Sequence, residues 1–520
     1  MEIRDQFHDG LRQTWASGIG DGAFVWCYTD AQAYDPGETV DLRISANVGA
    51  VDVTISRDGA TPVVAHHVAG LATAAHPAPP DAYATGCSWP VACRWTIPAE
   101  APSGAYVVRL QACADARMVG HHLFIVRPGR VRGNLLLVAA TATWTAYNDW
   151  GGASHYYGVV PDTPMGMSPR LAIARPWTRG MAWLPPGAPR KVPAHRPRFG
   201  EAARYESSEW AFLNGYGRQY SSAGWAMFEQ PFVAWAEAAG YRVDIVAQSD
   251  LEYRPDILDG YACIAFAGHD EYWSWAMRDT VDGYVERGGR VARFAGNFLW
   301  QIRLDGGGAV QVCHKTLAHE RDAGTGRLMT SAWEDRAVGR PGAETFGVNA
   351  LRGMYAGWGG FCPRAAKGFI VFRDDHWALA GTGLRYADMF GDDANIFGYE
   401  VDGLEYTMQD GLPVPLGTDG APPGTTILAM NWATLAETPS GAEGERLLVG
   451  GWDAALRNRL VAGYENAPDR VRGSGMIVNF TRGRGEVFTA ASCEWVAGLK
   501  YGDPYTTRIT RNVLDRYLAS

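Results

Sequence analysis

The block GHDEYW, Gly268 to Trp273, sets an imidazole and a carboxylate two residues apart, His269 and Glu271, directly after an apolar run that ends at Ala267. Such a pair suits metal binding or proton transfer, since each group can serve as ligand, acid or base. Asn297 closes the next apolar run, RVARFAGN, and Tyr147 and Asn148 follow a third, NLLLVAATATW. Enzymes that display a nucleophile where a strand turns into a helix carry Ser or Cys there, as GxSxG or GxCxG. Neither stands in this turn, so acyl transfer to a thiolate or alkoxide is disfavoured at this place. Plainer readings remain open for each residue. Acidic residues near a helix N-terminus stabilise its dipole by roughly 0.3–1 kcal/mol, so His269 and Glu271 could mark an ordinary helix start. Tyr147 could be core packing in a Trp- and Tyr-rich loop, and Asn297 a turn former.

Strands must position these residues. YRVDIVAQ, YACIAFAG (Tyr261 to Gly268) and RVARFAGN (Arg290 to Asn297) are strand-like, while FVAWAEAAG (Phe232 to Gly240) and SWAMRDTVDGYVERGG have helical spacing. This alternation predicts a doubly wound α/β domain with a mostly parallel sheet covered by helices on both faces. Ligands in such sheets bind beyond the carboxyl ends of the strands, which is where the three motifs fall. Upstream, Phe24 to Arg127 alternates polar and apolar residues at period two with Pro-Gly and Asp-Gly turns, predicting an immunoglobulin-like β-sandwich. The expected division is therefore a β-sandwich over residues 1–130 and an α/β catalytic domain over 131–520, with additional β-rich elements toward the C-terminus. Residues 161–220, dense in Pro, Gly, Arg and Trp, predict a long functional loop, and Trp177, Trp183 and Trp210 are expected to shape its pocket.

At 520 residues the chain can bury more than one core, and 47 basic against 56 acidic residues give a mild −9 without long blocks of one sign. That argues against nucleic acid or an anionic membrane as the main partner. The longest apolar runs, such as LLLVAA from Leu135, are strand-sized, and the polar start MEIRDQFHDG does not read as a secretory signal, so a soluble cytoplasmic protein is expected. The eight cysteines form no CxxC pair, and free buried thiols are expected, with a Cys87–Cys93 bridge disfavoured in a reducing cytosol.

On these residues the chain resembles the large, catalytic subunit of N,N-dimethylformamidase. The shared motifs are YNxWGGxS from Tyr147 to Ser154, GHDEYWS from Gly268 to Ser274, GGRV with the following GN and Trp300, GYEVDG from Gly398 to Gly403, GEVFTAAS with EW, and TRNVLDR near the end. Their order and spacing agree over about residues 130 to 520. The resemblance implies a domain similar to the class I glutamine amidotransferases that carries a mononuclear ferric (Fe3+) centre held by two tyrosinates and one glutamate. Carried onto this chain, it implies Tyr147 and Glu271 as metal ligands and His269, Asn297 and Glu400 as further site residues, with Lys315 by a looser correspondence. The second tyrosine is expected from the irregular segment, with Tyr205 first by spacing and Tyr216 and Tyr220 as rivals. Phenolate and carboxylate oxygens are hard ligands, and trivalent iron stabilises a phenolate despite a free pKa of about 10.

The implied activity is hydrolysis of a small non-peptide amide, such as an N-substituted formamide, by metal-activated water, with His269 or Glu400 passing a proton to the departing amine. A homo-oligomer working with a small accessory subunit is implied as well. Family members commonly carry an additional lectin-like module, for which this chain has no room beyond its one β-sandwich. The competing reading is a non-catalytic carbohydrate- or ligand-binding protein on the same scaffold.

Overall fold

Apolar side chains at every second position make the N-terminal strands two-faced. In β3 (Thr39–Ala46), Val40, Leu42 and Ile44 are buried, and in β4 (Ala50–Asp58) Val51, Val53 and Ile55 are. The computed structural model describes residues 22–130, 132–192, 206–356, 366–434, 436–437, 447–448 and 472–519. Strands β1 (Val25–Tyr28), β3 and β6 (Val91–Thr96) form a three-stranded sheet. A second sheet joins β2 (Ala33–Tyr34), β8 (Val119–Val126), β7 (Gly104–Ala112), β4 and β5 (Val63–Ala72) in that order. Their inward faces share one core, with Val40, Leu42 and Trp95 from the first sheet against Val53, Ile55, Tyr106 and Phe124 from the second. The opposite face of the larger sheet contributes Ala105, Val107, Leu123 and Ile125 to the main core of the rest of the chain, so the two units are fused by apolar packing.

The second unit is built on one nine-stranded sheet. Its strands are β9 (Leu135–Ala139), β10 (Val243–Ala247), β11 (Cys263–His269), β12 (Arg290–Gly296), β14 (Phe369–Val371), β15 (Met389–Phe390), β17 (Thr426–Thr434), β18 (Arg472–Arg482) and β19 (Gly485–Ala490). The order is β10-β9-β11-β12-β19-β18-β17-β14-β15. Pairing is parallel from β10 to β19 and antiparallel from β19 to β15. The mostly parallel sheet expected from the βαβ rhythm is therefore half of a larger mixed sheet. The β-rich C-terminal segments are its other half, because β19 pairs directly with β12.

Continuous burial along β9 divides its side chains between two cores. Leu135 and Leu137 face one side with α2 (Glu229–Ala238), α4 (Trp495–Tyr501) and α5 (Pro504–Leu518), while Leu136 and Val138 face the other with α3 (Trp275–Glu286). From β9 the chain passes first to β10 on one side and then to β11 on the other. The reversal leaves a crevice at the carboxyl ends of β9 and β11, the position where open α/β sheets bind ligands. Two further strands complete its walls, β13 (Asn349–Ala356) and β16 (Tyr399–Gly403), paired antiparallel.

Among the described residues no helix is long and apolar enough to cross a membrane. Cys27, Cys87, Cys93, Cys113, Cys263, Cys313 and Cys493 are free thiols; the expected burial holds for five of them, whereas Cys93 is half-buried and Cys113 exposed on the surface of the sandwich, and Cys362 lies outside the described residues.

Candidate active site

Beyond β9 the chain enters α1 (Thr141–Tyr147), whose last residue points a buried phenol at the end of β11. Tyr147 Oη donates to Glu271 Oε2 at 3.0 Å. A tight return of the following loop, closed by a bridge between Ala153 and Gly158, brings a second phenol to the same carboxylate. Tyr156 Oη lies 2.6 Å from Glu271 Oε1, 2.7 Å from Oε2 and 2.9 Å from Tyr147 Oη. Glu271 itself is 1% exposed, and its backbone N–H donates to Thr143 Oγ1 at 2.9 Å, which ties the end of β11 to α1.

His269 ends β11 beside this group. Nε2 lies 2.9 Å from Glu400 Oε2 and 3.4 Å from Glu271 Oε2, and the Asn297 amide nitrogen is 3.3 Å from the same atom. Gly268 allows the turn that aims the ring: its φ is +82°, and a Cβ there would meet the Phe228 Cβ at 2.2 Å. Gly296 does the same for close approach, since its Cβ would sit 2.6 Å from the Glu400 carbonyl oxygen. Asn297 (φ 65°) and Lys315 (φ 53°) both hold left-handed backbone, a conformation that non-glycine residues keep only when neighbours enforce it. For Asn297 the enforcer is Asp402, whose carboxylate accepts from Asn297 N at 2.6 Å and Phe298 N at 3.3 Å while pairing with Arg293 at 3.0 Å. Lys315 is fixed by its N–H to Thr330 O and sets Nζ 3.2 Å above the centre of the Tyr156 ring.

The electrostatics follow from burial and these partners. Burial, then the charge of Glu271, raises both Tyr147 and Tyr156 well above the ordinary phenol range, so each phenol keeps its proton. Burial alone would lift the Glu271 carboxyl, but the His269 hydrogen bond and charge, with Lys315 and Tyr156, outweigh it and hold the group below its usual value. For His269 burial pushes down, and the two carboxylates more than reverse it, to about 10.

The structure thus brings together Tyr147, His269, Glu271, Asn297, Glu400 and Lys315, each named from sequence. Among the described residues the second phenol that meets Glu271 is Tyr156, ahead of the irregular segment, and neither Tyr216 nor Tyr220 of that segment takes the place. Tyr220 Oη instead donates to the Pro189 carbonyl at 2.7 Å, and Tyr216 packs against Trp210 and Tyr220. Tyr205 lies outside the described residues. Of the tryptophans expected to shape the pocket, two reach the sandwich and one stays within the segment. Trp177 Nε1 donates to Leu123 O and Trp183 stacks on His121, both on β8 of the sandwich, while Trp210 packs on Tyr216 and Tyr220. What the segment does contribute is Lys191, buried beside the Tyr399 ring.

Tyr399 lies inside the GYEVDG motif, beside Glu400, which was the available signal, while Tyr156 lies just past YNxWGGxS, where nothing marks it over its neighbour Tyr157. Lys191 and Ser222 carry no such signal.

The donor set favours a hard cation. Two phenols converge on both oxygens of one buried carboxylate, so a single multivalent cation could replace the two phenolic protons and satisfy three anionic oxygens at once. A second grouping, His269, Glu400 and Cys493, has its ligand atoms within 4.8 Å of one another. The 2.9 Å separation of His269 and Glu400 is a hydrogen-bond length, and a cation between them would have to break that contact.

No curated protein matches the chain. Among solved structures, the sporulation control protein Spo0M from Bacillus subtilis is similar at 18% identity over 21% of this chain and 50% of its own length. Its TM-score is 0.15, too low to carry an argument about fold. The family described as N,N-dimethylformamidase beta subunit-like, C-terminal, matches residues 53–508, a span that includes every residue of the site just described. With most of its length matched, the chain belongs to the N,N-dimethylformamidase beta subunit-like family.

Proposed function

We propose that this protein is a metal-dependent amidohydrolase that cleaves the C–N bond of a small, non-peptide amide such as an N-substituted formamide. Membership of a dimethylformamidase-like family points to amide hydrolysis. The observation that carries the finer reading is the meeting of two phenols on one buried carboxylate at the sheet's crevice. Tyr147, Tyr156 and Glu271 would hold the metal, and ferric iron is the ion whose hardness and charge suit two phenolates and a carboxylate. When bound, such an ion would polarise an amide carbonyl and acidify a water.

The chain's own residues do the rest. His269 carries N–H groups on both sides of its ring. Nδ1 is held by the Ser222 carbonyl at 2.5 Å, so Nε2 is left facing Glu271, Glu400 and the crevice. From there it donates a proton to the departing nitrogen as the C–N bond breaks; Glu400 accepts the proton released as water adds to the carbonyl carbon and passes it across the 2.9 Å contact to Nε2, which returns both groups to their starting states. The Asn297 amide, 3.3 Å from Nε2, orients the substrate carbonyl. Lys315, over the Tyr156 ring, offsets the negative charge of three anionic oxygens. The beta subunit in the family's description supports an assembly with a second kind of subunit.

Purified protein is expected to hold iron near one per chain, to absorb in the visible through tyrosinate-to-iron charge transfer, and to hydrolyse members of a panel of formamides and N-alkyl amides. Iron-free protein after growth in iron, together with unchanged hydrolysis by Glu271→Ala, would end the reading.

A further inference from the structure

Lys191 is a buried cation that the site's chemistry does not use, 7% exposed, and it reaches His269 through one turn. Its Nζ donates to Ser222 Oγ at 2.9 Å, and Ser222 Oγ in turn donates to Gln219 Oε1 at 2.6 Å. The backbone carbonyl of Gln219 accepts from Ser222 N at 2.8 Å, so the turn from Gln219 to Ser222 is held through both main chain and side chain. Its product is the placement of a single carbonyl. Ser222 O accepts from His269 Nδ1 at 2.5 Å and from Tyr399 Oη at 2.8 Å, and Tyr399 Oη is itself 2.7 Å from Nδ1. Lys191 also sits 5.7 Å from the Tyr399 ring centre, touching the second member of this clamp.

The ring nitrogen that is tied decides what the other can do, because an imidazole whose Nδ1–H is fixed presents only Nε2 to its remaining neighbours. We propose that Lys191 is a positioning residue for the reaction: by bracing Ser222 and Tyr399 it locks the His269 ring with Nδ1 bonded behind and Nε2 turned toward Glu271 and Glu400. The sequence gives no cue to this, since Lys191 lies 78 positions from His269 in a segment without periodicity. Burial lowers the Lys191 ammonium to about 7, against the charge of Glu400, yet amine and ammonium both carry an N–H for Ser222 Oγ, so the brace holds in either state.

The proposal rests on the reading of His269 as proton donor, and two independent measurements separate the fates of the two ideas. In kinetics of the iron-loaded protein, Lys191→Met is expected to lower kcat by about 10–100-fold at unchanged KM, with iron content and visible band intact, as for loss of a group that orients a site residue. Lys191→Arg is expected to restore most of the rate. Ser222→Ala keeps the carbonyl but loses the brace, so it should lower kcat in the same way and add little to Lys191→Met in the double variant. An unchanged kcat, an effect confined to KM, additive losses, or loss of iron in Lys191→Met would each overturn the positioning role, the KM result assigning Lys191 to substrate contact instead. In metal-free protein, proton NMR is expected to show a low-field Nδ1–H resonance of His269, identified by its absence in His269→Gln, that disappears in Lys191→Met. Its persistence would overturn the proposal even if no amide substrate were found, whereas its disappearance in a protein that hydrolyses no amide would leave the brace standing and remove the proposed function. Should Lys191→Met fail to fold, Ser222→Ala carries both measurements.

Discussion

Two glutamates, each 1% exposed, flank the carboxyl end of β9, and they differ in every respect that chemistry requires. Glu229, at the start of α2, receives two neutral donors, Ala140 N at 3.1 Å and Trp144 Nε1 at 2.9 Å, both on Oε1. Burial dominates there and raises its carboxyl to about 8, so near neutrality it is held largely as the acid. Glu271 sits as deep but among two phenols, an imidazolium and an ammonium, and stays charged. Burial alone makes a carboxyl a neutral structural group; a surrounding set of donors and cations is needed to keep one ionised and ready to hold a cation.

The comparison breaks most visibly at Glu271. Glu271→Ala is expected to lower kcat/KM by at least about 1,000-fold, on the order of 4 kcal/mol of transition-state stabilisation, and to lose bound iron. Steady-state assays with elemental analysis read both. Tyr156→Phe keeps the ring under Lys315 and removes one proposed ligand, so iron affinity should fall by more than about 10-fold and the visible band should weaken or shift. An unaltered iron titration would reduce Tyr156 to a hydrogen-bond donor.

Glu229 sharpens the other side. Its folded pKa, about 8, lies above the ordinary 4.5, so the folded chain binds the proton more tightly than the unfolded chain does. The associated stability is fully present below pH about 4.5 and is lost as pH rises through 8, by an amount on the order of 5 kcal/mol. Glu229→Gln should flatten that decline in denaturant melts at pH 5 and pH 9, leaving the part due to Glu334, which burial raises likewise to about 8. An unchanged slope would mean that Glu229 is ionised at neutral pH. The smallest effect is expected from Tyr220→Phe, which loses one hydrogen bond to Pro189 O and about 1 kcal/mol of stability. Iron and kcat should be untouched, and loss of iron would return the second-ligand role to the irregular segment.

Residues at strand ends were legible because a buried parallel strand is a continuous apolar run, and the polar residue that interrupts it must lie at the crevice. His269, Glu271 and Asn297 were found that way, and Tyr147 as the exit of the apolar run from Leu135, although that run leaves the strand at Ala139 and reaches Tyr147 as helix α1. The tyrosine at 156 was harder, since a loop has no period to say which of two adjacent phenols turns inward; Tyr157 turns to Asp149 instead. The tryptophans of 161–220 could not be placed from sequence, because apolar residues in an unpatterned segment fit an inter-unit seam as well as a pocket, and Trp177 and Trp183 pack on β8.

Composition and period by themselves determined that a two-faced β unit precedes an α/β unit and that oxygen donors gather at the ends of its strands, because alternation and apolar runs are local properties of the chain. Only the tertiary structure decided that the C-terminal strands extend the same sheet, that Tyr156 and Tyr147 share one carboxylate, and that Lys191 stands behind His269. Those are contacts between residues remote in sequence, fixed by how whole elements pack, and no local pattern encodes them.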